Sequence, residues 1–343
     1  MSSRANPTPD SSRAAVRRRS LSPTVPRRAR PGHSFPGAPR RRVARRRALG
    51  VALVVVVAVA LALVRQSSPG APGASAATGS PVFYLAVGAS ASLGFQPTGI
   101  LHHNGHRTNT GYANDVIAIE GFSGVTMSLR QVGCPGETVQ SILSTTVADH
   151  CYQLPATQLT TATAYLVAHR GHPGLVTVDL GFNDVRLCLV PAVVNGACVA
   201  AGVAAVAADL PKVLTDLMRA AGPDVHFVGV EYEDPYLSHF LAGPAGPANA
   251  TASLVAMDNL DTVLGHVYAA AHVPVANVPG LFDMNVATRV PLDNVGLIPE
   301  NVARACALTW DCYGPPFGPD DHPNGAGYAT IAQAIAAVLP ARW

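Results

Sequence analysis

Two short runs, far apart in the chain, hold most of its capacity for chemistry. In the first, Tyr84-Leu85-Ala86-Val87-Gly88-Ala89-Ser90-Ala91-Ser92-Leu93-Gly94-Phe95, an apolar strand-like segment stops in small residues and its turn carries Ser90. In the second, Asp320-Asp321-His322-Pro323-Asn324, an imidazole stands beside two carboxylates, just ahead of a helix-like ending. A serine hydroxyl is a weak nucleophile until a base takes its proton, and a histidine steadied by a carboxylate is a base of that kind. The pair points to cleavage of an ester.

A scaffold has to bring these residues together. Apolar runs at Pro81–Val87, Val125–Val132, Leu175–Leu180, Val225–Val230 and Val273–Val278 read as strands, and Ala197–Ala221, Ala252–Ala271 and about Gly327–Leu339 have helical length and spacing. Strands alternating with helices predict βαβ units around a parallel sheet covered on both faces. The expectation is one three-layer α/β/α domain over residues 81–343 with about five parallel strands. In such sheets ligands meet the carboxyl ends of the strands. Three of those ends carry polar or small residues able to act: Gly88-Ala89-Ser90, Gly133-Cys134-Pro135-Gly136-Glu137-Thr138 and Gly181-Phe182-Asn183-Asp184. No internal repeat is visible.

Taken in order, these blocks resemble the SGNH/GDSL hydrolase superfamily, and in particular the secreted single-domain esterases and lipases of actinobacteria. Gly88-Ala89-Ser90 with Gly94 matches the first block, Gly136 the glycine of the second, Gly181-Phe182-Asn183-Asp184 the third, and His322-Pro323-Asn324 followed by Gly327-Tyr328 the last. The resemblance covers about residues 82–340 and implies the family's flavodoxin-like fold. It also implies roles. Ser90 is the expected nucleophile and His322 its base, and the Ser90 and Gly136 N–H groups with the Asn183 side chain form the expected oxyanion hole. Two positions depart from the family pattern: Ala89 stands where an aspartate precedes the serine, and Pro319 lies three residues before the histidine, where the orienting acid is often found. Asp320 is therefore expected to orient His322, with Asp321 facing away. Glycine at 136 is expected because a Cβ would obstruct the substrate. The resemblance implies no metal and no cofactor. The alternatives are a catalytically silent carbohydrate- or envelope-binding module on the same scaffold, and an acyltransferase to sugar hydroxyls.

Other polar groups read more plainly. Ser92 lies too far from the strand end to replace Ser90. His102, His103 and His106 with Asn104 fall in a polar loop without a nearby acid and are expected in solvent. Glu231, Glu233 and Asp234 are expected to cap the next segment and bind water, and Asp184 to serve as a turn residue. Asn249-Ala250-Thr251 is a glycosylation sequon by pattern only.

Composition places this domain in the cell. Residues 1–47 hold fourteen arginines and a single acid, Asp10, a net charge of +13 against +3 for the whole chain. Such a segment buries too little apolar area to offset its ordering entropy and reads as a disordered tail. Ala48–Val64 has no polar side chain and, at about 1.5 Å per residue, spans roughly 25 Å. It reads as a transmembrane anchor or as the apolar core of a signal peptide, with the arginines in the cytoplasm. Residues 65–80 are a Ser/Pro/Gly/Ala linker containing a cleavage-like Ala74-Ser75-Ala76. The rest of the chain, at −10, is expected outside the cytoplasm as a single-pass membrane protein, or secreted after cleavage near Ala76. Its acidity argues against nucleic-acid binding. The partners expected are a small-molecule or lipid ester and, through residues 48–64, a membrane. Cys134, Cys151, Cys188, Cys198, Cys306 and Cys312 all lie in the exported part and contain no Cys-x-x-Cys, which favours disulfides over zinc. The expected pairs are 134–151, 188–198 and 306–312. Oligomeric state has no signature in this sequence.

Overall fold

The computed structural model describes residues 81–99, 105–146, 150–190 and 193–343. All of them fall within one compact unit, Ala77–Trp343. The expected tail, the apolar run 48–64, the linker 65–80 and His102 and His103 lie outside the described residues.

Five parallel strands form the central sheet: β1 (Val82–Gly88), β2 (Met127–Gln131), β3 (Gly174–Asp179), β4 (Val225–Val230) and β5 (Val275–Ala276), in the order β2-β1-β3-β4-β5. This is the flavodoxin-like order, with its reversal between β1 and β3. β1 shows why these residues make a central strand. All seven are buried, and they alternate between the two faces. Phe83, Leu85 and Val87 join one apolar cluster while Val82, Tyr84 and Ala86 join the other. A strand covered on both sides reads as a continuous apolar run. Fully burying such a side chain contributes about 1.5–3 kcal/mol.

The helices form the outer layers. On one face α2 (Gln158–Ala168), α3 (Phe182–Leu189), α4 (Gly196–Ala221) and α5 (Gly246–Ala270) pack through Leu166, Val185, Leu210 and Leu264. On the other lie α1 (Tyr112–Phe122), the single turn α6 (Val278–Leu281), α7 (Glu300–Leu308) and α8 (Gly325–Ala336), through Val116, Val278, Val302 and Ile331. A hairpin of β6 (Arg289–Leu292) and β7 (Gly296–Pro299) precedes α7. Among the described residues α4 is long and apolar enough to cross a membrane by length and composition. Its Val206, Leu210, Val213, Leu214 and Leu217 are buried against the sheet, as in the core helix of a globular domain.

Several expected boundaries change. The fifth strand is two residues rather than Val273–Val278, because Val273 is spent in the core at the end of α5 and Val278 begins α6. The last helix is Gly325–Ala336 rather than Gly327–Leu339, because Asn324 caps it by accepting from the Ala326 and Gly327 N–H groups. α1, α2, α3, α7 and the hairpin are additional to the elements read from sequence.

Three disulfides join Cys134 to Cys151, Cys188 to Cys198 and Cys306 to Cys312. They fit an oxidising, extracytoplasmic compartment. The first closes 17 residues of chain around the loop after β2. Its removal by Cys134→Ala with Cys151→Ala is expected to cost about 3 kcal/mol by loop entropy, read as a lower midpoint in urea unfolding.

Candidate active site

The carboxyl ends of β1, β2, β3 and β4 open into one cleft of about 520 Å³ beside the β1/β3 reversal. Ser90, Gly136, Asn183, Asp320 and His322 all line it.

Ser90 follows β1 at the start of a single 3₁₀ turn, Ala91–Leu93. The turn is tight against β3. Gly88 has φ +152°, and a Cβ there would lie 1.6 Å from Asp179 Oδ1. The Asp179 carboxylate takes the Ala89 N–H at 2.7 Å and the Tyr112 hydroxyl at 2.8 Å. Burial pushes this carboxyl up to about 7. Ser92 faces inward, its hydroxyl donating to the Ala89 carbonyl at 2.7 Å, and it is fully buried. Ser90 is thus the serine on the cleft.

His322 arrives from the opposite end of the chain. Asn324 anchors its loop by donating to the Ala307 carbonyl while capping α8. Gln96 joins the two loops: Trp310 Nε1 donates to its Oε1, and its Nε2 donates to the Pro323 carbonyl. The Phe95 ring packs 5.0 Å from the imidazole. The outcome is a continuous relay. His322 Nδ1 lies 2.7 Å from Asp320 Oδ1, and His322 Nε2 lies 2.8 Å from Ser90 Oγ. With the proton on Nδ1 donated to Asp320, Nε2 is left to accept from the serine.

Asp321 does not face away. It is buried, its Oδ1 lies 3.7 Å from His322 Nδ1, and its Oδ2 takes Arg186 Nε and the Tyr236 hydroxyl, each at 2.5 Å. The imidazole therefore sits between two carboxylates, one bonded to it and one neutralised by an arginine. Burial works against the imidazolium, but the Asp320 hydrogen bond and the charges of Asp320 and Asp321 outweigh it, and the net shift is upward. Asp320 moves the other way: burial would raise it, and its bonds and charge pairing with His322 bring it below the ordinary range.

The expected oxyanion donors surround the same space. Among the described residues the Ser90 and Gly136 N–H groups donate to no protein acceptor. Asn183 Nδ2 spends one proton on the Glu137 carbonyl at 3.1 Å, which leaves its second proton for a ligand. At Gly136 a Cβ would meet no protein atom within 4 Å, and φ is +80°, which by itself disfavours other residues. The buried Gln158 locks the supporting loops, accepting from the Gly88 N–H and donating to Glu137, each at 2.8 Å. Asp184 ties α3 to the loop after β2 by accepting from the Val139 N–H.

The acids after β4 depart from expectation. Asp234 caps the 3₁₀ segment Pro235–Leu241, but it is fully buried and bonded to Ser253. Glu233 is buried and Glu231 half-buried, and both line the cleft. Asp179, Glu233, Tyr112 and Arg186 are the site residues that sequence reading missed. The acid closing the run Leu175-Val176-Thr177-Val178-Asp179 was a usable signal, because a lone charge at a buried strand end needs partners.

Among the described residues two sets of metal-type ligands converge. In Cys134, His150 and Cys151 the sulfurs are joined to each other. In Asp320, Asp321 and His322 the ring nitrogens and carboxylates are engaged as above.

Burial raises Asp179, Asp184, Glu233 and Asp234 to about 7. An acid whose folded pKa exceeds its unfolded value binds more protons when folded, so stability falls as pH climbs from about 4 through 7. A melting temperature lower at pH 8 than at pH 5.5 is expected in thermal unfolding.

No known family profile and no curated protein matches the chain. Among solved structures it is similar to a phospholipase A1 from Streptomyces albidoflavus NA297, at 17% identity over 75% of this chain and 99% of that one, with a TM-score of 0.47. It is also similar to the aryl esterase of M. smegmatis, at 14% identity over 75% and 97%, TM-score 0.39. A third is a lipase/acylhydrolase from Enterococcus faecalis, at 14% over 76% and 99%, TM-score 0.39.

Proposed function

We propose that this chain is an SGNH-type serine hydrolase that cleaves carboxylic esters through an acyl-enzyme. The relay Asp320–His322–Ser90, with contacts of 2.7 and 2.8 Å, carries the reading. The Ser90 oxygen attacks the ester carbonyl carbon as its proton passes to His322 Nε2. The tetrahedral oxyanion is held by the Ser90 and Gly136 N–H groups and the Asn183 amide. Collapse expels the alcohol, which leaves with the proton from Nε2, and the acyl group stays on Ser90. Water then repeats the sequence, its proton going to Nε2, and releases the acid and free Ser90. Asp320 holds the productive tautomer throughout. This route needs no metal or cofactor, and a silent binding module would need none of its alignment.

Fluorophosphonate labelling of the folded protein, followed by mapping of the adduct, tests the assignment. The label is expected on Ser90, and an unlabelled Ser90 in folded protein refutes it. Asn183→Ala is expected to lower kcat about 10²–10³-fold on nitrophenyl acetate, since one oxyanion donor is lost. The raised His322 pKa predicts an acidic limb of kcat/KM centred above the ordinary histidine value, because only the neutral imidazole accepts the serine proton. We place the enzyme outside the cytoplasm, held by residues 48–64 or released near Ala76. The N-terminal sequence of the mature protein separates the two.

A further inference from the structure

The cleft reaches further into the domain than the reacting groups require. Beyond Ser90 and His322 its wall includes the buried residues Tyr112, Asp179, Val230, Tyr232 and Glu233. Asp179 is well supplied by the protein, its two oxygens taking the Ala89 N–H and the Tyr112 hydroxyl, with the Ser92 N–H also directed at it. Asp234 is likewise satisfied, by the Tyr236 N–H and the Ser253 hydroxyl. These two are what structural acids look like here.

Glu233 is different. It is 6% exposed, it lies in the field of His322 and Asp321, and among the described residues the only hydrogen bond reaching its carboxyl comes from its own backbone N–H. Asp179 faces it from β3 and Tyr328 from α8. Beside it, the buried Tyr232 hydroxyl has the Phe182 N–H bearing on its oxygen, and among the described residues its own O–H finds no acceptor. A buried polar group left without its partner is destabilising. The Glu233 carboxyl, held only by its own N–H, and the unspent Tyr232 O–H stand on consecutive residues of the wall of the cleft that holds Ser90, and a ligand can use both.

The geometry points to Glu233 as a substrate-binding group that takes a hydrogen bond from a hydroxyl carried by the ester, in its acyl or its alcohol part. A carboxyl oxygen accepts and a phenol donates, and an alcohol hydroxyl supplies the complement of both. A fixed cation on the substrate suits the site less, because the His322 imidazolium forms in the same field and Arg186 lies on the same cleft. The enzyme then prefers hydroxyl-bearing esters to alkyl esters of equal size. This inference rests on the serine-hydrolase reading and refines its substrate class.

The test compares matched pairs on the full chain. p-Nitrophenyl 3-hydroxybutyrate against p-nitrophenyl butyrate probes the acyl side, and 2,3-dihydroxypropyl butyrate against propyl butyrate probes the alcohol side. The hydroxylated member of one pair is expected to be favoured about 10–100-fold in kcat/KM, the range of a hydrogen bond to a charged group. Glu233→Leu is expected to erase that ratio, and Glu233→Gln, which still accepts, to keep part of it. A ratio near one in both pairs, or one that survives Glu233→Leu, overturns the proposal. So does an equal fall on both members with the ratio intact, the mark of a purely structural role. Affinities of the same esters for Ser90→Ala, measured by ligand-observed NMR, read the preference without turnover. Absence of turnover in the unmodified chain would refute the hydrolase reading, whereas absence of hydroxyl-dependent affinity refutes the role of Glu233 alone.

Discussion

Ser90→Ala is expected to lower kcat on nitrophenyl acetate by about 10⁶-fold while leaving thermal unfolding nearly unchanged. The size follows from the way the relay works as a unit: once the nucleophile is gone, neither the base nor its carboxylate has a proton to move. Binding and the oxyanion donors still act on a water molecule, so about 10³–10⁴ of the acceleration over uncatalysed hydrolysis survives. The fold should tolerate the change. Ser90 is half-buried, among the described residues its hydroxyl reaches only His322, and the turn is held by the Asp179 bond to the Ala89 N–H. Steady-state kinetics beside a melting curve decides the matter. Retention of more than a hundredth of the activity would remove Ser90 from the chemistry.

Asp320→Asn is expected to cost about 10⁴-fold in kcat, and Asp321→Asn far less. Both carboxylates approach His322 Nδ1, at 2.7 and 3.7 Å, so proximity alone does not separate them strongly. Their partners do. Asp320 accepts from both the ring and the backbone N–H of His322. An amide there can turn its NH₂ toward Nδ1 and leave Nε2 protonated, the tautomer that cannot accept from Ser90. Asp321 is committed to Arg186 and Tyr236, so its loss should appear mainly in stability, because a half-buried arginine loses its counter-charge. Removal of Asp320 should also shift the acidic limb of kcat/KM downward, since its bond and charge raise the imidazole. The kcat of the two variants, with their pH profiles, tests this assignment. Equal losses at both positions would mean that the carboxylates share the orienting role.

Much of the scaffold was legible residue by residue. The run Val225–Val230 became β4 with the bounds expected, and the all-buried run around Tyr84 could only be a strand covered on both faces. Of the helices missed, α1 and α2 have weak apolar spacing, whereas α3 and α7 are amphipathic but short, at eight and nine residues. α2 begins at a threonine capping box and carries Thr160, Thr161 and Thr163, and α3 runs directly out of the Gly181 turn without a side-chain cap. In both, tertiary packing overrides a modest local preference.

At the site, residue type and chain order drew attention to Ser90 and His322, since one follows a strand and the other precedes a helix, and the family resemblance added Gly136 and Asn183. Their convergence belongs to the folded state. Ser90 and His322 are 232 residues apart and meet only because β1 and the loop before α8 share one end of the sheet. The burial of Asp321, expected to face away, likewise depended on Arg186 and Tyr236, which come from other parts of the chain. Glu233 read as one more hydrophilic residue after a strand. Whether such a carboxyl meets water or the wall of a cleft depends on what packs around it, and long-range packing leaves no periodic trace in a sequence.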